Sequence, residues 1–157
     1  MSQHKLQSIL LDSNLLLLLL IGRLGHKEVE NFKKTRNFTT EDAQLLENHI
    51  KGEKKFIITP HVVAETSNLI DWLDPSRKAA AYFSLSQYLQ QAEEIYEPSK
   101  ELIQTPIACK LGITDAALFQ LTTQRGVELV TADLELYHWA SNQKASAVNF
   151  HHLRHYF

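Results

Sequence analysis

The sequence is poor in cysteine and has no excess of positive charge. A single cysteine, Cys109, among 157 residues excludes an intramolecular disulfide and a four-cysteine zinc site. Sixteen lysines and arginines stand against eighteen aspartates and glutamates, which leaves a net charge of −2. That balance excludes a protein that coats duplex nucleic acid through its overall charge. Nucleic-acid binding would therefore need a local basic patch or a bound metal. The lone cysteine fits a reducing compartment, and we expect a cytoplasmic protein.

Long hydrophobic runs are also missing. The apolar run of residues 15–21 is separated from the one at 9–11 by Asp12, Ser13 and Asn14. A membrane span needs about 20 apolar residues, and the sequence around this run is a poor signal peptide. We therefore expect a buried strand followed by a buried helix, and no association with a membrane.

What the sequence does contain is the composition of one globular domain. Hydrophobic residues make up 44% and charged residues 22% of the chain, which are ordinary values for a folded protein. Neither a repeat nor a low-complexity linker divides residues 1–157, so we predict a single domain.

Apolar runs of strand length alternate with helical patterns along this domain. Such alternation predicts an α/β fold, with a central, mainly parallel sheet of about four or five strands flanked by helices in a Rossmann-like three-layer arrangement. The polar stretch 26–38 is predicted to be a loop. The predicted strands span residues 6–11, 56–59, 128–131 and 147–150. The predicted helices span residues 14–24, 40–51, 60–73, 74–89, 115–124 and 134–142, with Thr40 and Thr114 as caps.

Four carboxylates fall near the same end of this predicted sheet. Asp12 and Asp133 directly follow strands, where ligands bind in open α/β sheets, and Asp115 begins a helix. Glu65 lies three residues after Val62, which places it beside the apolar stripe of its helix. Carboxylates gathered in one place repel one another unless a cation neutralises them. Oxygen-only ligands suit Mg²⁺ or Mn²⁺.

Each of these acids also has a local structural explanation. Asp133 and Asp12 could cap helices, and Asp115 could interact with a helix dipole. Glu65 could pair with a lysine or with His61. Taken singly, these structural roles are at least as good as a functional one, and only the conjunction of all four acids favours a metal site.

The four motifs together resemble the PIN domain, a family of metal-dependent nucleases. Asp12 with Asn14 resembles the family's first motif, and Val63-Ala64-Glu65 resembles its second. Thr114-Asp115-Ala116-Ala117 resembles the third, and Leu129-Val130-Thr131-Ala132-Asp133 the fourth. The resemblance covers nearly the whole chain in the family's order. The stretch between the first helix and the second strand is longer than in the compact toxin members.

The resemblance implies an Mg²⁺- or Mn²⁺-dependent endoribonuclease. Asp12, Glu65, Asp115 and Asp133 would be the catalytic metal ligands, with Asn14 and Thr131 orienting them. The RNA would be single-stranded or structured. A basic cluster would bind it, although a solvated loop explains that cluster equally well: Arg23, Lys27, Lys33, Lys34 and Arg36.

The resemblance also bears on partners and on alternatives. Many small PIN proteins resemble toxins held inactive by an antitoxin, so we expect RNA and an antitoxin-like protein as partners, and a homodimer is compatible with the family. The rival prediction is a catalytically inactive PIN-like scaffold that binds RNA or protein. Other side chains are predicted to be structural: Cys109 and Trp72 as packing, and His151, His152 and His155 as a surface tail.

Overall fold

A computed structural model describes residues 7–52 and 54–154 of the chain. Its strands are β1 (Gln7–Leu11), β2 (Lys54–Ile58), β3 (Ala92–Glu94), β4 (Glu128–Thr131) and β5 (Ala147–Asn149). Its helices are α1 (Ser13–Gly22), α2 (Glu28–Asn31), α3 (Thr40–Ile50), α4 (Pro60–Ile70), α5 (Pro75–Gln90), α6 (Ser99–Leu102), α7 (Pro106–Leu111), α8 (Ile113–Arg125), α9 (Leu134–Asn142) and α10 (Phe150–Arg154).

The strands form one parallel sheet in the order β3-β2-β1-β4-β5. β1 lies at its centre, where Leu10 pairs with Ile57 of β2 and Leu129 of β4. Ile9 and Leu10 are fully buried, as expected of a central strand that is covered on both faces. The predicted α/β class with a parallel sheet is confirmed.

Strand order reverses direction at β1, and this determines where the helices lie. The chain passes from β1 outward to β2 and β3, then returns to the other side of β1 for β4 and β5. Parallel crossovers are right-handed. The helices that connect β1, β2 and β3 therefore cover one face of the sheet, and the helix that connects β4 to β5 covers the other. The result is a three-layer fold with its switch point between β1 and β4, where α/β proteins place ligands.

α1 is the most deeply buried helix of the fold. Its residues from Leu15 to Ile21 are all at most 1% exposed, and it packs against α3, α4 and α5. At its end, Gly22 approaches α3 so closely that a Cβ there would lie 2.7 Å from Ala43 Cβ. The apolar run that resembles a membrane segment in sequence is therefore the core. Among residues 7–52 and 54–154, no helix is long and apolar enough to cross a membrane.

Several predicted boundaries are correct and others are wrong. β4 and α9 have the predicted bounds, α4 begins at Pro60 as predicted, and α5 begins at Pro75, one residue after the predicted start. β3, α6, α7 and α10 were not predicted, and α2 lies inside the predicted loop 26–38. The predicted strand residue Leu6 lies outside the described residues, as does His155.

Two predicted caps and one predicted buried thiol are wrong. The Thr39 side chain, not that of Thr40, caps α3, since Thr39 and Asp42 complete a reciprocal capping box. α8 begins one residue before Thr114, with Gly112 at its N-cap at a positive φ of 94°, which glycine adopts readily. Cys109 is exposed, because the buried side of the short helix α7 is formed by Ile107 and Ala108.

Candidate functional site

Asp12 is a buried carboxylate at the carboxyl end of the central strand. It is 6% exposed and caps α1 by accepting a hydrogen bond from the Leu15 amide to Oδ1 at 2.8 Å. Its Oδ2 accepts from the Thr131 hydroxyl at 2.5 Å and from the Ala132 amide at 2.9 Å. Burial raises the pKa of Asp12 above its ordinary value, although these three hydrogen bonds oppose the rise.

Asp133 stands beside Asp12 because β1 and β4 are neighbours in the sheet. Its Oδ1 accepts from the amides of Glu135 and Leu136 at 2.9 and 3.2 Å, which caps α9. Its own amide donates to Thr131 Oγ1 at 3.0 Å. The hydroxyl of the fully buried Thr131 therefore links the side chain of Asp12 to the backbone of Asp133.

Asp115 is half-buried in the first turn of α8, where the helix dipole favours an anion. Burial, followed by the carboxylates of Asp133, Asp12 and Glu65 in that order, raises its pKa to about 7. The dipole is therefore outweighed by desolvation and by three like charges. The charges of the other three predicted acids therefore all act on Asp115.

Glu65 differs from its sequence-based description. It is exposed on α4, not held at the edge of a buried stripe, because Val62 and Thr66 occupy the buried face. An exposed glutamate carries little desolvation cost, so the argument that a buried-edge glutamate demands a cation is wrong. The remaining evidence for Glu65 at the site is that its charge raises the pKa of Asp115.

The four carboxylates are ligands of the kind that a hard divalent cation prefers. They are, however, not drawn together around one position. Within residues 7–52 and 54–154, no three histidine, cysteine, aspartate or glutamate side chains converge closely enough to hold one ion. The exposed side chain of Glu65 can change rotamer, whereas Asp12 and Asp133 are held by hydrogen bonds. Two buried hydroxyls next to the acids in sequence, Ser13 Oγ and Thr66 Oγ1, have no hydrogen-bond partner in the described part of the chain. Such hydroxyls suit a site where water or a ligand oxygen completes the bonding.

The two residues predicted to orient the carboxylates are placed differently. Thr131 binds Asp12 directly. Asn14 is exposed, and the described hydrogen bonds to Asp12 come from Leu15, Thr131 and Ala132, not from Asn14. Asn14 instead lines a cavity next to Asp133.

The predicted basic cluster is divided in the structure. Arg23 forms a two-point ion pair with Glu47, with Nε at 2.6 Å from Oε1 and the second nitrogen at 3.2 Å from Oε2. Lys27 and Arg36 are exposed. Lys33 and Lys34 instead place their ammonium groups against the ring of Trp72, at 4.0 and 4.4 Å from its centroid.

Sequence reasoning missed the contribution of α10 to the site. His151 Nε2 lies 3.0 Å from the Ala132 carbonyl oxygen, between Thr131 and Asp133 in the chain. Arg154 lies 3.3 Å from His151 Nδ1 and pairs with the buried Asp42 at 2.9 Å. The interpretation of His151 as part of a surface tail is therefore wrong. No local pattern reveals these contacts, because they join residues far apart in sequence.

A cavity of about 390 Å³ lies between Asp133 and these basic groups. Asp133 and Asn14 form part of its wall, and basic, polar and apolar side chains form the rest. Its lining residues are Asn14, Lys34, Asn37, Phe38, Ala132, Asp133, His151 and Arg154.

Comparisons with known proteins support the fold alone. No protein-family model matches the chain, and no curated protein matches it. The fold is similar to that of PAE2754 from Pyrobaculum aerophilum, known from its crystal structure, with a TM-score of 0.58. The two sequences are 18% identical, and the match covers 94% of this chain and 92% of that one.

Proposed function

We propose that the protein is a divalent-metal-dependent endoribonuclease of the PIN type that hydrolyses RNA phosphodiester bonds. One observation carries the proposal. Asp12, Glu65 and Asp133 lie near enough to Asp115 for their charges to raise its pKa, and Asp12 and Asp133 directly follow the neighbouring strands β1 and β4. Acids at the ligand-binding edge of a parallel sheet, with a cavity lined by Lys34 and Arg154 next to Asp133, suit a metal and a phosphate.

Each acid would contribute differently to such a site. Asp12 is rigid, because three hydrogen bonds fix both of its oxygens, and it would hold the ion in place. Asp133 uses Oδ1 to cap α9, which leaves Oδ2 for the ion. Glu65, exposed on α4, would supply a further carboxylate.

Asp115 is the acid whose charge state the site controls. In the metal-free protein, burial and three neighbouring carboxylates hold its pKa at about 7. Asp12, Glu65, Asp115 and Asp133 would hold a divalent ion, which would supply an activated water and charge neutralisation for the scissile phosphate. The chain's own part is to bind and orient: Lys34 and Arg154 attract phosphates, and Thr131 keeps Asp12 aligned.

The cellular setting extends the same proposal. The protein would act in the cytoplasm, either as the toxin of a toxin–antitoxin pair or as a free-standing RNA-processing nuclease. An antitoxin-like protein would inhibit it by placing a basic side chain among the acids. The aromatic side chains of α5, of which Phe83 is 66% exposed, offer a surface for a homodimer.

The test is cleavage of a mixed set of structured and unstructured RNAs with Mg²⁺, with Mn²⁺ and with EDTA. Wild-type protein is compared with Asp12→Asn and Asp115→Asn, and Glu135→Gln is the matched control, since Glu135 is an exposed acid in the first turn of α9. We expect metal-dependent cutting by wild type and Glu135→Gln, and at least a 100-fold loss in the two aspartate variants. Cutting that persists in both aspartate variants would refute the assignment of the acids.

The rival function is a scaffold that keeps the fold without the chemistry. The observation that favours it is that, within the described ranges, no three of the acids converge on a position where an ion could bind. A scaffold requires neither Mg²⁺ nor Mn²⁺. Absence of both cutting and Mn²⁺ binding in the wild type would therefore decide for the scaffold.

A further inference from the structure

Trp72 is an exposed aromatic side chain in a position that the core does not explain. It lies just beyond the end of α4 and is 60% exposed. Burying an indole is strongly favourable, so one left in solvent forgoes that stabilisation. The other tryptophan, Trp139, is half-buried and packs edge-on against Phe119.

Two lysines surround the exposed indole. Lys33 Nζ and Lys34 Nζ lie 4.0 and 4.4 Å from the Trp72 ring centroid. No ion pair involves either lysine within the described residues. Contacts of this kind at exposed sites are weak. The cluster of Lys33, Lys34 and Trp72 therefore presents two positive charges beside a flat, rigid ring, which matches the alternation of phosphate and base in a nucleic-acid strand.

Lys34 connects this cluster to the acidic site. It contacts Trp72 and also lines the cavity of about 390 Å³ whose wall includes Asp133 and Asn14. Arg154 and His151 line the same cavity. A surface that carries Arg154, His151 and Lys34 thus leads from Asp133 to Trp72. A cavity of this size accommodates a small ligand or one unit of a polymer.

We propose that this surface is a binding track for single-stranded RNA, with phosphates at Lys33, Lys34 and Arg154 and an unpaired base stacked on Trp72. The inference rests on the proposed function in one respect, namely that the bound RNA strand leads toward the acids. Stacking requires a base with a free face, which a duplex does not offer. The chain as a whole has a net charge of −2, so the contact is local and involves few phosphates.

Tryptophan fluorescence tests the track without cleavage. In the Trp139→Phe protein, Trp72 is the remaining tryptophan and reports its own contacts. The probes are a 12-nucleotide oligouridine and a 12-base-pair RNA duplex, titrated in EDTA so that metal-dependent cutting is absent. We expect saturable quenching by the single strand and at least tenfold weaker binding of the duplex.

Variants assign the binding to the named side chains. Trp72→Ala should weaken oligouridine binding about 5- to 150-fold, measured by anisotropy of the labelled RNA, because one stacked base is lost. Trp72→Phe should retain part of the affinity. Phe83→Ala, which removes another exposed aromatic ring, should bind as wild type. Lys33→Gln and Lys34→Gln should each lower the slope of log affinity against log salt by about 0.7.

Three outcomes of the binding measurements would overturn the track. They are equal binding of duplex and single strand, no effect of Trp72→Ala on oligouridine binding, and displacement of the RNA by polyglutamate with the same dependence on Trp72. The last would assign the surface to an acidic protein partner. The inference and the proposed function fail separately. Binding that depends on Trp72, without metal-dependent cutting, retains the track and refutes the nuclease. Cutting that is unaffected by Trp72→Ala, in KM as well as kcat, retains the nuclease and refutes the track.

Discussion

The Thr131 hydroxyl donates a hydrogen bond to Asp12 Oδ2 at 2.5 Å, joining residues 119 positions apart in the chain. The same hydroxyl accepts from the Asp133 amide at 3.0 Å. All three groups lie where β1 and β4 end side by side. A single buried side chain therefore links two of the four acids and sets the geometry of the proposed metal site.

Replacing this hydroxyl by a methyl group should damage both stability and metal binding. Thr131→Val keeps the shape but removes the donor to Asp12 and the acceptor for Asp133. We expect a loss of about 1–3 kcal/mol in the free energy of unfolding and a Mn²⁺ affinity about 10- to 100-fold lower. Urea denaturation in EDTA and Mn²⁺ titration measure the two effects. Thr131→Ser, which keeps the hydroxyl, should stay close to wild type, and equal losses in both variants would contradict the role of the hydrogen bonds.

Neutralising Asp115 should stabilise the metal-free protein at high pH. Its pKa is raised from 3.8 to about 7, so between these values the folded chain holds a proton that the unfolded chain has released. Stability therefore falls as pH rises through this window. Three pKa units correspond to about 4 kcal/mol, which solvent screening reduces to about 1–2 kcal/mol.

Urea denaturation in EDTA measures this effect. Asp115→Asn should be more stable than wild type at pH 8, with a smaller gain at pH 5, because the wild-type carboxyl is then largely protonated when folded. An equal difference at both pH values would show that the carboxylate is not repelled as described.

Asp42 should anchor α10 as well as the start of α3. Its Oδ2 accepts from the Thr39 amide at 2.9 Å, and its Oδ1 accepts from Arg154 Nε at 2.9 Å. Asp42→Asn removes the charge that both contacts use, so we expect a loss of about 1–3 kcal/mol in thermal or chemical denaturation. Glu41→Gln is the control, because Glu41 is an exposed acid in the same turn. A loss in the control as large as in Asp42→Asn would point to the helix dipole instead.

Gly22 should be intolerant of alanine although it lies in a helix. A Cβ at Gly22 would meet Ala43 Cβ at 2.7 Å, which forces α1 and α3 apart. We expect Gly22→Ala to cost about 1–3 kcal/mol despite the better helix propensity of alanine. The double variant Gly22→Ala, Ala43→Gly should recover part of the loss, measured by a double-mutant cycle in urea. Strict additivity of the two substitutions would contradict the close approach.

The parts of the fold that could be predicted from sequence are those with a strong local signal. β4 and α9 were predicted with their bounds, because a short apolar run and an aspartate cap mark them plainly. β3 was missed because its three residues, Ala92–Glu94, lie at the sheet edge and are largely exposed. An exposed edge strand has no apolar run to reveal it.

The candidate site also has parts that the sequence predicts and parts that it does not. The chain positions of Asp12 and Asp133 predict their proximity, because parallel strands end at one edge. The exposure of Glu65 could not be predicted, since a position beside an apolar stripe can face either the core or solvent. Tertiary packing, which no local spacing encodes, produces two further contacts. They are the contact of His151 with the Ala132 carbonyl and that of the two lysines with Trp72.

The most direct test of the account is a Mn²⁺ titration followed by electron paramagnetic resonance. Wild type is compared with Asp12→Asn, Asp115→Asn and the control Glu135→Gln. The account predicts saturable Mn²⁺ binding by wild type and the control, weakened at least tenfold in both aspartate variants. Equal Mn²⁺ binding by all four proteins, or none by wild type, would contradict a metal site at these acids.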